Sequence, residues 1–247
     1  MIQPIAALIG ALAGAILGSF LATLILRWPQ GRGVMRGRSA CDGCGRTLGA
    51  RDLIPMLSAL MSKGRCRTCG GAIDPLHGRV EAGCAIIGAL AIGFRPDLGG
   101  IGWALFGWIL LTLAVLDWRH FWLPDALTLS LAFLGFTIGM WASDVALPDR
   151  IIGASVGYGA LLAIALGYRV VRGRDGLGLG DAKLLGALGA WLGWQALPFL
   201  LLIASLLGLA VMLVTGRATQ RTARVPLGTF LALAAAPAAL LADRLIG

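Results

Sequence analysis

Residues 5–26 read IAALIGALAGAILGSFLATLIL, without one charged side chain. A helix that crosses a bilayer needs about 20 mostly apolar residues, and backbone in hydrocarbon must satisfy its own hydrogen bonds. This stretch therefore fixes the class of the chain as a membrane protein. Further apolar runs lie at about 80–94, 101–116, 126–142, 151–168, 182–194, 197–214 and 226–242. That makes eight candidate spans, of which 80–94 and 182–194 are short. Composition agrees: 58% of residues are hydrophobic and only 13% charged, against about 25% charged in soluble domains. A disordered chain and an ordinary soluble enzyme are excluded, since neither could keep so much apolar surface in water. The expected fold is an all-α polytopic membrane protein with about eight transmembrane helices. Glycine-rich runs such as GALAGAILGS and GALGAWLG suit close helix packing in lipid.

Charge sets the orientation. A signal peptide carries its basic residues before the apolar stretch; here the first basic residue, Arg27, follows it. We read residues 1–26 as an uncleaved span with its N-terminus outside. Ten Lys/Arg fall between Arg27 and Arg79. Alternation across eight spans puts these inside, together with Arg119, Arg169, Arg172, Arg174, Lys183, Arg217, Arg221 and Arg224; only Arg95, Arg150 and Arg244 fall outside. Such asymmetry is what the positive-inside rule describes. The net charge of +9 thus follows from topology and contact with anionic lipid, with no call for a nucleic-acid partner.

The loop at 27–79 holds four of the five cysteines, as Cys41-x-x-Cys44 and Cys66-x-x-Cys69. Two intervening residues allow a tight turn that aims both thiolates at one tetrahedral ion, and two such pairs make a closed four-thiolate zinc site. Gly45 and Gly70 follow the two pairs and ease the turns. Disulfides are disfavoured in a cytoplasmic loop. The loop is too short for a core of its own, so a bound metal would supply folding energy. Cys84, inside a span, reads as a small apolar residue.

Acidic residues are scarce, twelve in all. Asp117 closes one span and Asp181 opens another. Ionisable groups at membrane depth are costly and mark function. Gly178 and Gly180 flank Asp181 and let another backbone approach. Two neighbouring carboxylates do not both ionise cheaply, so the pair holds one proton and serves as general base and general acid around a water. Helix capping is the competing reading for Asp181, with Lys183 as a snorkelling partner, and for Asp125, which follows Pro124 and precedes an apolar run.

Taken together, these residues resemble the type IV prepilin peptidase family, bifunctional leader peptidases and N-methyltransferases. Gly178-Leu-Gly180-Asp181 matches the G-x-G-D signature of membrane aspartyl proteases. Asp117-x-Arg119-x-x-x-Leu123-Pro124-Asp125 resembles the family's first aspartate motif. Cys41, Cys44, Asp52-Leu-Ile-Pro55, Cys66, Cys69 and Val80-Glu81 resemble its amino-terminal cytoplasmic domain. Asp42 stands where proline is common, and Ala59 where tryptophan is frequent. The resemblance implies catalytic aspartates at Asp117 and Asp181, with Gly178, Gly180, Pro124, Asp125 and Lys183 in support. It implies cleavage of prepilin or pseudopilin leaders at the cytoplasmic face of the inner membrane. It further implies N-methylation of the new terminus from S-adenosylmethionine, with Glu81 a candidate for the methyl-transfer or cofactor site. The domains expected are a first transmembrane helix at 1–26, a zinc-binding loop at 27–80 and a transmembrane protease domain at 81–247. Two other classes stay in play: a non-catalytic assembly factor that docks a partner through the zinc loop, and a proton-coupled transporter using the two aspartates as a relay.

Overall fold

A computed structural model describes residues 2–34, 39–173, 176, 178–216 and 225–246. Leu177 and six of the arginines counted for topology (Arg36, Arg38, Arg174, Arg217, Arg221 and Arg224) lie outside the described residues. Among the described residues ten α-helices follow in chain order: α1 (Pro4–Arg27), α2 (Leu57–Met61), α3 (Leu76–Phe94), α4 (Leu98–His120), α5 (Asp125–Phe136), α6 (Gly139–Ala142), α7 (Leu147–Arg172), α8 (Leu179–Leu192), α9 (Leu197–Val214) and α10 (Leu227–Ile246). No strand occurs among the described residues, only two isolated bridges in the cysteine loop.

Six of these helices are long and apolar enough to cross a membrane: α1, α3, α4, α7, α9 with the turn before it, and α10. The expected eight spans are therefore approximate. The run at 126–142 is broken into α5 and α6, and the run at 182–194 is the 14-residue α8. Every residue of α8 from Leu184 to Leu192 is buried. Its apolar sequence thus reflects contact with protein rather than a length matched to lipid.

The chain divides into two compact units, Met1–Thr112 and Leu113–Gly247. In the first, α1 lies against α3. A β-carbon on Gly10 would run into the Gly88 carbonyl, one on Gly14 into that of Cys84, and one on Gly18 would stand 2.8 Å from the Glu81 Cα. Small residues four apart let the two backbones touch, and dispersion and close packing hold such pairs together in lipid. In the second unit the same device joins α7 to α8, with Gly153 opposite the Gly189 carbonyl and Gly157 opposite that of Leu185.

Arg150, assigned by charge counting to an outside loop, is instead fully buried in the first turn of α7. Its Nε donates to Val145 O; Nη1 reaches Gly135 O, Ala190 O and Trp191 O; Nη2 reaches Gly139 O, Ser143 O and Ser143 Oγ, all at 2.8–3.1 Å. Several of these carbonyls belong to the last turns of α5 and α8, where no intrahelical donor remains and the helix dipoles are negative. One guanidinium with five N–H groups closes several helix ends at once.

Candidate active site and metal centre

In the first unit the cysteine loop is two copies of one local structure. Cys41 N donates to Arg46 O and Gly45 N to Cys41 O; Cys66 N donates to Gly71 O and Gly70 N to Cys66 O. Gly45 and Gly70 both take φ +70, a left-handed conformation that favours glycine. Each turn is sealed by a bridge, Ala40 with Thr47 and Arg65 with Ala72. The two turns bring the sulfurs of Cys41, Cys44, Cys66 and Cys69 within 4.8 Å of one another. A tetrahedral ion with Zn–S near 2.3 Å sets sulfurs about 3.8 Å apart, and Cys41 Sγ and Cys69 Sγ are separated by 3.9 Å. Backbone N–H groups of Cys69 and Thr68 pull the Cys66 thiol down to about 6, while, against the Gly71 N–H, the neighbouring sulfurs of Cys66 and Cys44 push the Cys69 thiol up to about 11; four sulfurs this close ionise together only around a cation. The donor set therefore fits one zinc in a closed site.

Asp52 clasps the two turns. Its Oδ2 accepts from Gly49 N at 3.1 Å and Arg46 Nη2 at 2.9 Å, and Arg67 Nε lies 3.7 Å from Oδ1. The Gly49 N–H, followed by the Arg46 charge, holds this carboxyl below the ordinary range. Glu81, the chain's one glutamate, is buried in α3, and its Oε2 accepts from Met56 N at 2.7 Å. Met56 has φ +58, a strained value for a side-chain-bearing residue. Glu81 also borders a cavity of about 430 Å³, along with Thr23, Arg27, Asp74 and His77.

The second unit holds the two aspartates. Asp117 sits in the last turn of α4, buried at 5% exposure. The chain leaves α4 at Phe121, which takes φ +50, and reaches Pro124, whose carbonyl accepts the Leu127 and Thr128 N–H groups that open α5. Asp181 occupies the third position of α8, after the N-cap Gly178. Its carboxylate faces the Gly178 N–H, the reach-back of an acid at this position to the cap. Asp181 thus caps its own helix and also lies close enough to Asp117 for the two charges to interact.

The amino terminus of α10 joins them. Thr229 N donates to Asp117 Oδ2 at 2.8 Å, Thr229 Oγ1 lies 3.2 Å from the same oxygen, and the Gly228 N–H faces both carboxylates. The first N–H groups of a helix lack internal acceptors; here carboxylates from α4 and α8 supply them. A β-carbon on Gly228 would stand 3.1 Å from Asp117 Oδ2 and 2.7 Å from Leu123 Cδ1, and one on Gly180 3.0 Å from Leu123 Cβ. Both glycines are needed for this approach. One at Gly178 would stand 3.2 Å from Asp181 Oδ2.

Asp125 is the first residue of α5 rather than its cap; Pro124 holds that position and offers no side-chain donor or acceptor. The Asp125 Oδ1 pairs instead with Lys183 Nζ at 2.7 Å, so Lys183 serves α5 and not Asp181.

A family model described as the Type IV leader peptidase family matches residues 104–213, and one described as the Bacterial Peptidase A24 N-terminal domain matches residues 12–94. A "Prepilin leader peptidase/N-methyltransferase" of Aeromonas hydrophila is 38% identical over 204 residues, 81% of this chain and 70% of that protein. The chain belongs to the type IV leader peptidase family. Proteins of the same name from Dickeya chrysanthemi (39% identical; 87% of this chain, 75% of that protein) and Burkholderia pseudomallei strain K96243 (42%; 79% and 64%) are also similar. No solved structure matches. As a leader peptidase family member, the chain has its cysteines and Glu81 within the 12–94 match and both aspartates within the 104–213 match. Gly228 and Thr229 lie past both. Sequence reasoning missed these two residues, because nothing local marks a helix start as the meeting point of two carboxylates, the nearer about fifty positions away and the farther 112.

Proposed function

We propose that this chain is a membrane aspartic endopeptidase. It removes the leader of type IV prepilins or pseudopilins at the cytoplasmic face of the inner membrane and N-methylates the new terminus with S-adenosylmethionine. The observation that carries the reading is the meeting of Asp117 and Asp181 at the amino terminus of α10. The names of the relatives support both activities. Their enzyme names give no support to a docking factor or a transporter.

In the proposed reaction Asp117 is the general base and Asp181 the general acid. Water between them loses a proton to Asp117 as its oxygen bonds to the scissile carbonyl carbon, and Asp181 protonates the carbonyl oxygen. Collapse returns that proton to Asp181, breaks the C–N bond and passes the Asp117 proton to the leaving amine. Each carboxyl ends as it began. Burial of Asp117 keeps bulk water from competing for the proton. The basic loops support a cytoplasmic position for this site.

The loop at 27–80 is the zinc-stabilised segment, with Cys41, Cys44, Cys66 and Cys69 as ligands. Four thiolates leave no open position for water, so the metal shapes the loop and takes no part in hydrolysis. The cavity beside Glu81 is the site proposed for methyl transfer. S-adenosylmethionine would supply an electrophilic methyl group there, and Glu81 and Arg27 both line the cavity. The test incubates detergent-solubilised protein with a purified prepilin and S-adenosylmethionine and reads the product by mass spectrometry. Loss of the leader plus one methyl group supports the reading; an intact prepilin overturns it.

A further inference from the structure

Thr229 occupies a place that the reaction above leaves unexplained. Its Oγ1 lies 2.9 Å from Ala114 O and 3.2 Å from Asp117 Oδ2, one turn apart on α4, and all three atoms are buried. A hydroxyl has one proton, so it donates to only one of these oxygens at a time. Thr229 N, held by the start of α10, donates to the same Oδ2 at 2.8 Å. Thr229 thus ties Oδ2 to α10, and the reaction proposed above has Oδ1 take the proton from water. Among the described residues, the titratable group that interacts with Asp117 here is Asp181, from α8.

We infer that Thr229 is a positioning residue whose hydroxyl follows the charge of Asp117 during the catalytic cycle. This rests on the proposed dyad and extends it. While Asp117 is a carboxylate, the hydroxyl donates to Oδ2, adding a second charge-assisted hydrogen bond to that of the backbone N–H. Once Oδ1 has taken the water's proton, Oδ2 loses most of its charge, and the hydroxyl turns to Ala114 O. The donor is satisfied in both states, so neither strands a buried polar group. The backbone N–H fixes the carboxyl's orientation throughout, and the rotating hydroxyl lets its charge change at little cost. Every hydrogen bond involved runs between α4 and α10.

The experiment measures cleavage of a purified prepilin by the full chain in detergent, with kcat and KM determined separately. Thr229→Val keeps the branched shape and the N–H but removes the hydroxyl; Thr229→Ala removes it without the bulk; Thr229→Ser restores it. The expected result is a kcat about tenfold lower in Thr229→Val and Thr229→Ala, as for loss of one hydrogen bond to a charged group, with KM unchanged and Thr229→Ser close to wild type. Loss carried by KM, loss that serine does not rescue, or wild-type kcat in the alanine variant overturns the inference. Asp117→Asn assayed alongside separates the two levels. If it still cleaves, the dyad itself is wrong; if it is inactive while Thr229→Ala matches wild type, only the role of Thr229 falls.

Discussion

Replacing Arg150 tests the second unit's architecture. Its guanidinium is fully buried and closes carbonyls from α5, the α6 region and α8, with no carboxylate among its partners in the described residues. Methionine keeps most of the volume and removes every donor. It also removes the cost of burying a charge, which offsets part of the loss. Gly139 O keeps the Ser143 N–H and Trp191 O a 3.5 Å contact from Ser143 Oγ; each buried carbonyl left without a donor costs about 1–3 kcal/mol. With two or three left unpaired, the net loss is about 3–5 kcal/mol. At roughly 2–4 °C per kcal/mol for chains near this size, Arg150→Met should melt about 10 °C below wild type. Trp191 makes its fluorescence a fitting probe: its carbonyl accepts from Arg150, and its indole N–H donates to Leu131 O at 2.7 Å. Arg150→Lys should lose nearly as much, since a lone ammonium spans fewer of these acceptors. An Arg150→Met protein that melts with wild type would show that the carbonyls find other donors, and would refute the reasoning.

Three further outcomes follow from the sites. Elemental analysis should find about one zinc per chain, lost in Cys44→Ser and Cys69→Ser, with methylation falling further than cleavage because the dyad lies in the other unit. Asp52 is held below its ordinary range, so its contribution is present at neutral pH and lost as pH falls through and below about 4; hydrogen exchange in residues 39–73 should separate Asp52→Asn from wild type at pH 7, and the gap should close on acidification. Asp125 and Lys183 form a partly exposed pair, worth under about 1 kcal/mol, so Asp125→Asn and Lys183→Met should keep cleavage within about threefold of wild type.

What the sequence made legible was local. A C-x-x-C pair followed by glycine encodes its own turn, so the meeting of the four cysteines was readable from spacing alone. Asp117 and Asp181 stood out because charge is rare in apolar sequence. The number of spans was only approximate, because hydropathy registers burial without saying whether lipid or protein does the burying; α8 is apolar on all sides because neighbouring helices enclose it. Arg150 was read as a loop charge for a related reason. A count of loop charges treats every arginine as solvated, and this one is held by carbonyls up to 41 positions away. The contact from Thr229 to Asp117 spans 112 positions, and no local pattern specifies such a pairing. Asp125 looked like a cap because Asp after Pro before an apolar run is a common helix start; the helix begins one residue earlier than that reading needs, which frees the carboxylate for Lys183.

The central claim is that Asp117 and Asp181 form one hydrolytic unit, and single asparagine substitutions test it most directly. Asparagine keeps size and hydrogen bonding but cannot carry the proton. Mass spectrometry of a purified prepilin incubated with each protein should show a shortened product for wild type and none for Asp117→Asn, Asp181→Asn or the double variant, while all three insert and melt normally. Residues acting as a unit lose nothing more when combined. The same samples given a pre-cleaved pilin and S-adenosylmethionine should still methylate it. A folded Asp181→Asn protein that shortens prepilin at the wild-type rate would contradict the account.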